Sequence, residues 1–417
     1  MNTQSVMNKK IAWLLIVVTY FLSYIIVENK YEIYIFMSLT MVLLLVYTVE
    51  NKGIIKIYFT VYHTHLLLFC LFCYLSSTWA VYKDLAIGKG NTLLEILLLT
   101  TAVFYCANRE NAVDFLLKAV MWGGFCVSFY VIFYYGAGGI FNVFREHVRI
   151  DSTLINANSL GICSAYSLLI SLYYIIYDKT HLWNIVMIPS IIMLAASGSR
   201  KAILMVIGGT LILFTLKNID RRNVVRGMLR IVLAVLLILI VFIFLSRLSI
   251  FEEVKIRMAG MLSTILGRGA VDSSTVTRLR LIEIGIDVFK EHPFIGLGID
   301  NTSILAAGIF NKESYYLHNN FVEMLANGGI VGFVLYYFFY VYVLGGMIKY
   351  RDFNDKEYNI CLTLLLLVLI MDYGVVSYLN KGIYIFKIIF LFQLKKLRKN
   401  KGEMKYYEYS KKGEEYI

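Results

Sequence analysis

Prolines and charged side chains are scarce in this chain. It has 2 prolines among 417 residues, and Asp, Glu, Lys and Arg together make up only 16% of it. Hydrophobic residues account for 59%, well above the roughly 45–50% that is usual for soluble domains. This composition excludes a water-soluble protein.

Several motifs of common enzyme classes are also missing. There is no Walker-type phosphate loop and no internal repeat, which argues against energy coupling by nucleotide hydrolysis. Cys70 and Cys73 lack the second ligand pair of a zinc site, so we predict that the 6 cysteines are small buried residues. No closely spaced Asp-x-Asp lies in a predicted outer loop. We therefore expect neither a metal nor another cofactor.

What the chain has instead is a series of long apolar segments. A helix needs about 20 apolar residues to cross a membrane, and such segments predict about twelve spans. They lie at residues 11–27, 33–49, 58–81, 92–107, 112–135, 155–177, 183–197, 201–216, 229–246, 327–348, 358–375 and 382–394. Because the apolar runs are continuous rather than alternating, helices are favoured over a barrel. The predicted fold is an all-α polytopic membrane protein with a large extracytoplasmic loop containing amphipathic helices.

The distribution of Lys and Arg predicts the orientation of these spans. Every second loop is basic, so the positive-inside rule places both termini in the cytoplasm. The first span lacks a small-residue cleavage site, and we expect an uncleaved anchor in the cytoplasmic (inner) membrane. The predicted organisation is transmembrane helices 1–9 at 1–246, a catalytic loop at 247–326, transmembrane helices 10–12 at 327–394, and a basic cytoplasmic tail at 395–417. The net charge of +12 mostly reflects this topology; its tail can meet anionic lipid, and nucleic acid is not an expected partner.

The outer loop contains a predicted amphipathic helix from Arg278 to Glu291. Its apolar stripe consists of Leu279, Ile282, Ile286 and Phe289. Arg280 lies on the opposite, charged face. Thr277 fits the N-cap position and Pro293 ends the pattern, which places Arg278 in the first turn, where it can meet a ligand. Snorkelling at the lipid interface is the alternative interpretation of this arginine.

Two further motifs follow this helix. Gly296 and Gly298 predict a tight turn whose backbone can approach an anionic ligand. His318 and Asn319 then begin a helix, whose free N–H groups suit phosphate and which Gly328-Gly329 interrupts. His318 can exchange a proton near neutral pH, although a polar helix end is the simpler interpretation. Glu323 is expected to support local hydrogen bonds.

More cations are predicted at the same face. Ser197-Gly198-Ser199-Arg200-Lys201 joins two apolar helices through a very short outer turn, which holds Arg200 at the outer leaflet. Its planar guanidinium is suited to grip two diphosphate oxygens. An earlier outer loop contributes Arg149. Positive charge on this face indicates an anionic ligand.

Together, the Ser-Gly-Ser-Arg turn, the loop arginine, His-Pro-x-x-Gly-x-Gly and His-Asn followed by Glu resemble the O-antigen ligase and polymerase superfamily, over roughly residues 197–332. The resemblance implies a polytopic glycosyltransferase that moves a glycan from undecaprenyl diphosphate to an acceptor outside the cytoplasm. It implies that Arg200 and Arg278 hold the diphosphate and that His318 serves the acceptor hydroxyl. Ile282 departs from the aromatic residue that many members have four positions after the loop arginine. The further candidate substrate-binding residues are Arg149, Arg280, Asn319, Glu323, Gly296 and Gly298.

Within this superfamily we favour a metal-independent, inverting polymerase of O-antigen, capsule or exopolysaccharide repeat units. The composition, rich in Lys, Asn, Ile and Tyr, is typical of A+T-rich genomes, many of them from cells without lipopolysaccharide. A ligase that transfers the glycan to a lipid or protein acceptor is the near alternative. The expected partners are the lipid-linked donor, the glycan acceptor and membrane lipids, with a flippase and a chain-length regulator as candidates.

Two alternatives come from other classes. A flippase or other transporter of lipid-linked oligosaccharides needs charges along a mid-membrane cavity, and the predicted spans are nearly free of charge. A non-enzymatic scaffold for polysaccharide export has no need for Arg200, Arg278 and His318 together.

Overall fold

The computed structural model describes residues 3–27, 31–54, 56–150, 154–178, 184–219, 229, 251–266, 273–310 and 315–402. Within these ranges the chain forms helices and no strand, which confirms the all-α fold. The helices are α1 (Thr3–Ile25), α2 (Glu32–Glu50), α3 (Val61–Ser76), α4 (Lys83–Ala107), α5 (Ala112–Arg145), α6 (Ala157–Asp178), α7 (Asn184–Ala196), α8 (Arg200–Lys217), α9 (Glu252–Ile265), α10 (Ser273–Glu291), α11 (Asn301–Phe310), α12 (Asn320–Lys349), α13 (Lys356–Met371) and α14 (Lys381–Asn400).

Six helices in the described ranges are long and apolar enough to cross a membrane, namely α1, α2, α4, α5, α6 and α12. The chain is therefore a polytopic membrane protein. The other predicted spans coincide with the helices α3, α7, α8, α13 and α14, which are shorter or more charged. The span predicted at 229–246 lies outside the described residues except for its first position.

The last helix, α14, runs through the centre of the bundle. It contacts α1, α3, α4, α5, α12 and α13, and every residue from 381 to 394 is buried. A helix buried on all sides has no solvent-facing stripe on which to place charge. The charged residues of this helix must therefore find partners inside the bundle.

The expectation of nearly charge-free spans is wrong at two buried positions. Glu95 of α4 is 3% exposed, and its carboxylate lies 3.3 Å from Nζ of Lys381 at the start of α14. Lys387 is 0% exposed. Its ammonium lies 4.4–4.8 Å from the ring centroids of Tyr336, Tyr340 and Tyr384. An ion pair and aromatic faces offset the loss of water around these charges.

The loop helix α10 begins earlier than predicted, and it buries a stripe that the sequence did not indicate. It begins at Ser273, so Thr277 is inside the helix and Arg278 lies in the second turn rather than the first. The buried stripe consists of Leu281, Ile284, Gly285 and Val288. Leu279 and Ile286 are exposed. The reason is Gly285, where a β-carbon would overlap side chains at the start of α12; this close approach selects the face that packs.

The predicted helix break at Gly328-Gly329 is confirmed. Gly329 has φ 59°, inside α12. The turn after α10 fits into this break: the N–H groups of Ile330 and Val331 donate to the carbonyls of Pro293 and Phe294 at 2.8 and 3.1 Å. The loop is thereby fixed to the membrane helix that begins two residues after His318.

Candidate diphosphate-binding and catalytic site

The turn at residues 197–199 holds Arg200 rigidly. Ser199 caps α8 through a 3.4 Å bond from the N–H of Ala202, and the hydroxyl of Ser197 donates to the carbonyl of Leu194 at 2.7 Å. Arg200 is only 5% exposed, and its Nη1 donates to the carbonyl of Arg257 in α9 at 2.9 Å. This guanidinium is fixed by packing, as the short turn predicted.

Arg149 and α9 border the same turn. A β-carbon built on Gly198 would lie 3.3 Å from Cβ of Arg149 and 3.2 Å from Cγ of Glu253. Burial, and after it the positive charge of Arg257, lowers the pKa of Arg149, with a further lowering from Arg278. Glu253 neutralises part of this charge through its 3.7 Å ion pair with Arg257. Sequence reasoning missed Arg257, whose only signal was the Glu-x-x-x-Arg spacing on a helix of the outer loop.

His318 lies within the field of the same cations. Its pKa is lowered to about 3, first by burial and then by the positive charges of Arg278 and Lys201. The imidazole is therefore neutral at physiological pH and can accept a proton. The ring of Tyr316 lies beside it, with centroids 4.1 Å apart. If His318 were only a polar residue at a helix end, the positive charges near it would have no function.

Lys201 was also missed as a site residue, because in the sequence it is only the neighbour of Arg200 in the short outer turn. The structure turns it toward the loop after α13. A β-carbon on Gly374 would lie 2.9 Å from its Cε and 3.1 Å from its Nζ. We call the following set the cationic cluster: Arg149, Arg200, Lys201, Arg257 and Arg278. Several like charges at one place repel one another, and a multivalent anion such as a diphosphate relieves that repulsion.

The N-terminus of α12 does not offer free N–H groups to phosphate. Asn320 N donates to the carbonyl of Asp372 at 2.7 Å, and the next two N–H groups donate to Oδ1 of Asn319 at 3.0 and 3.1 Å. The N–H of Glu323 donates to the carbonyl of Asn319 at 2.9 Å, which is the first bond of the helix itself. Three of the four amide donors that a helix start leaves open therefore have partners within the chain. The expectation of free N–H groups is wrong at these three positions.

Asn319 and Glu323 are deeply buried, at 3% and 1% exposure. The Glu323 carboxylate accepts from the N–H of Leu317 and from the side-chain amide of Asn327, both at 2.9 Å. This confirms that Glu323 supports the local hydrogen-bond network. A direct contact of Asn319 or Glu323 with substrate stays a prediction.

The remaining candidates lie outside the cationic cluster. Arg280 is exposed and its Nη1 lies 2.9 Å from the carboxylate of Glu283. Gly296 has φ 69° and lies against the backbone of Asn327, while Gly298 lies against Ala80. These two glycines thus allow a close approach to other segments of the chain. Their contact with substrate stays a prediction.

Asp372 joins the site through α12. It is 1% exposed and accepts from Ser377 Oγ at 2.5 Å, Tyr337 OH at 3.0 Å and Asn320 Nδ2 at 3.4 Å. The sequence indicated it only as a carboxylate near a helix end. Its connection to Asn320, two residues after His318, depends on a contact 52 positions apart along the chain.

The fold and the site together define a helical membrane protein in which two members of the cationic cluster, Arg278 and Lys201, lie near the largely buried His318. Residues 185–337 match the family model described as O-Antigen ligase. The resemblance to the O-antigen ligase and polymerase superfamily is thereby confirmed, over a region that contains Arg200, Arg278 and His318. A search of the curated proteins finds no match to the chain. The family supports a membrane enzyme that processes glycans.

Proposed function

We propose that this protein is a polymerase of undecaprenyl-diphosphate-linked oligosaccharide repeat units. It works in the cytoplasmic membrane, with both termini in the cytoplasm and the cationic cluster at the outer face. The observation that carries the proposal is the placement of the largely buried His318 near Arg278 and Lys201, within the region that matches the O-Antigen ligase family. A base and an anion-binding surface side by side are what transfer from a lipid diphosphate requires.

The reaction is a displacement at the anomeric carbon. A hydroxyl oxygen of the acceptor glycan forms the new C–O bond, the bond from the anomeric carbon to the diphosphate breaks, and its electron pair leaves with the diphosphate. Arg200 and Arg278 stabilise the charge that develops on this leaving group. The hydroxyl proton goes to His318. Attack from the side opposite the leaving group inverts the anomeric centre, and no step requires a metal.

The low pKa of His318 gives the reaction an order. In the free enzyme, burial and then the positive charges of Arg278 and Lys201 make the imidazole a weak base, because they lower its pKa to about 3, far below the working pH. A bound diphosphate brings negative charge next to Arg278 and Lys201 and so raises the pKa of His318 toward neutrality. The base therefore becomes effective only after the donor is in place.

The family description, O-Antigen ligase, favours the ligase as the second candidate. Polymerase and ligase share the donor half of the reaction and differ in the acceptor. The composition of the chain, rich in Lys, Asn, Ile and Tyr, keeps the polymerase first. The buried Glu95 and Lys387 weaken one argument against a transporter, but each has neighbours in the bundle that account for it.

The test uses purified protein in detergent, lipid-linked repeat units extracted from the cells that make this chain, and excess chelator. Glycan length is followed on a gel for wild type, Arg278→Ala and His318→Ala. Two controls remove a cation or an imidazole at exposed positions nearby: Lys290→Ala on α10, and His292→Ala in the following turn.

A ladder made by wild type and both controls, and lost in Arg278→Ala and His318→Ala, supports the polymerase. A single transfer that appears only when another acceptor is added identifies a ligase. Translocation of the lipid-linked unit without any transfer contradicts both and favours the transporter.

A further inference from the structure

The loop helix α10 presents three different stripes of side chains. One is buried against the chain itself and consists of Leu281, Ile284, Gly285 and Val288. A second is charged and exposed along its whole length, and it consists of Arg280, Glu283, Asp287 and Lys290. The third is apolar and only partly covered, and it consists of Leu279, Ile282, Ile286 and Phe289. A second apolar stripe, separate from the charged one, suits a helix that lies between protein, water and an apolar medium.

The turn that follows α10 carries two more exposed apolar side chains. Phe294 is 73% exposed and Ile295 is 43% exposed. Their backbone is nevertheless fixed, because the carbonyls of Pro293 and Phe294 accept from the N–H groups of Ile330 and Val331 in α12. The exposed ring of Phe294 is therefore held level with Val331 rather than placed on a loose loop tip.

The exposed side chains of α12 show where the hydrocarbon of the membrane begins. The apolar ones recur at helical spacing and so share one face: Ile330, Val331, Val334, Phe338, Val341 and Ile348. At roughly 1.5 Å per residue, the rise from Ile330 to Ile348 is about 27 Å, close to the ~30 Å thickness of a hydrocarbon core. Lys349 follows directly. This face lies against lipid, and its end at Ile330 and Val331 is level with Phe294.

Helix α3 holds the other end of the same turn. The N–H of Ile299 donates to Oγ of Ser76, the last residue of α3, at 3.2 Å. This helix also has an exposed apolar face, formed by Leu68, Leu71 and Leu75 at 48–59% exposure. The turn thus joins the ends of two helices that both carry an exposed apolar face, and its own exposed side chains continue that surface.

We propose that Leu279, Ile286, Phe294 and Ile295, which we call the apolar rim, insert into the bilayer leaflet at this end of the bundle and contact its acyl chains. By the proposed topology this is the outer leaflet. The bilayer is the occupant because the rim continues the lipid-facing side of α12, while the charged stripe of α10 remains in water. Apolar side chains on one side of a helix and charges on another are the arrangement of helices that lie in a membrane interface.

The rim also sets the depth of the cationic cluster, a consequence that rests on the proposed function. Arg278 lies one helical turn before Ile282, on the same α10 that the rim holds at the membrane. The diphosphate of a polyprenyl donor lies where its isoprenoid chain leaves the hydrocarbon. The apolar rim therefore keeps Arg278 at the level of that diphosphate.

The test places one added tryptophan at a time in the full-length protein. Phe294→Trp and Ile286→Trp report on the rim, Val334→Trp on the exposed face of α12 is the lipid reference, and Lys290→Trp on the charged stripe of α10 is the water reference. Each variant is reconstituted in vesicles of phosphatidylethanolamine and phosphatidylglycerol. The vesicles are made once with unsaturated acyl chains and once with chains brominated near the headgroup, since bromine quenches tryptophan fluorescence on contact. The emission of wild type, which has 4 tryptophans of its own, is subtracted.

We expect brominated lipid to quench both rim variants at least about half as strongly as Val334→Trp, and to leave Lys290→Trp nearly unquenched. Absence of quenching in Phe294→Trp or in Ile286→Trp would overturn the proposal. Red-shifted emission would then show that the position faces water, and blue-shifted emission would show that protein, such as a second copy of this chain, covers it. Equal quenching of Lys290→Trp would also overturn it, because the two stripes of α10 would then not lie in different media.

The outcome is separable from that of the proposed function, because quenching requires no glycan transfer. If the rim is quenched in a protein that transfers nothing, the membrane contact stands and the transferase does not. If transfer occurs and the rim is not quenched, the transferase stands and the membrane contact is contradicted.

Discussion

Two short glycine-containing turns at the same end of the bundle have opposite roles. The turn at residues 197–199 presents Arg200 and is bordered by Arg149 and α9. The turn at 296–298 presents its backbone to the break in α12, and its N–H groups at Leu297 and Gly298 donate to carbonyls of that helix at 3.0 Å. Both resemble anion-binding turns in sequence. Only the first brings cations together, so side-chain charge, rather than glycine content, distinguishes the site from its scaffold.

The largest effect that would test this comparison is on catalysis. Arg200→Ala should reduce kcat/KM for transfer by about 10²–10³-fold, because it removes one fixed positive charge that stabilises the diphosphate leaving group. Arg200→Lys should recover only part of the loss, since an ammonium cannot reproduce the planar two-donor grip. Initial rates with the lipid-linked donor measure both. A loss in kcat/KM of less than about threefold in Arg200→Ala would show that the turn at residues 197–199 is not part of the active site.

The second effect is on stability and belongs to the other turn. Gly296→Ala should lower the free energy of unfolding by about 2–4 kcal/mol, because φ is 69° and the new methyl group meets the backbone of Asn327. Thermal unfolding in detergent measures it. Gly308→Ala is the matched control: its β-carbon meets no atom within 4 Å in α11, and helix propensity there favours alanine. Equal melting temperatures for the two variants would contradict the packing role.

The two turns also show which features of the structure can be predicted from the sequence and which cannot. Local signals located the short turn at Arg200, the break at Gly328-Gly329 and almost every apolar helix. They did not identify the stripe of α10 that packs on α12, because that contact depends on a close approach of Gly285 to α12. They missed Arg257 and the linkage of Asp372 to Asn320, because contacts between distant segments leave no periodic pattern.

The third prediction concerns pH. Protonated His318 cannot act as a base, so activity falls as the pH drops below its pKa. This fall is the acid limb of the pH–rate profile. The limb of kcat/KM reports the free enzyme, where the pKa is about 3, and the limb of kcat reports the donor complex, where the diphosphate raises it. We therefore expect the kcat limb at higher pH. Lys201→Met should move the kcat/KM limb upward, because it removes one of the positive charges that lower the pKa.

Initial rates from about pH 2 to 9 would reveal this difference, because this range includes the free-enzyme pKa of about 3. Coincident limbs for kcat and kcat/KM, unmoved in Lys201→Met, would mean that the cations do not act on the base. The cations beside the turn at residues 197–199 would then contribute to diphosphate binding and not to the basicity of His318.

The smallest expected effect tests Arg280, which lies two residues after Arg278 but on another face of α10. If Arg280 contacts the glycan, as its place in the sequence predicts, Arg280→Ala should raise the acceptor KM. Its exposed side chain, 2.9 Å from Glu283, instead predicts transfer rates within about twofold of wild type, because exposed ion pairs contribute little. Acceptor KM for Arg280→Ala, with Lys290→Ala as the neutral reference, distinguishes the two. A rise in acceptor KM beyond about fivefold would show that the substrate surface extends from the cationic cluster across the exposed face of α10. That face of the helix would then belong to the binding site rather than to its supporting structure.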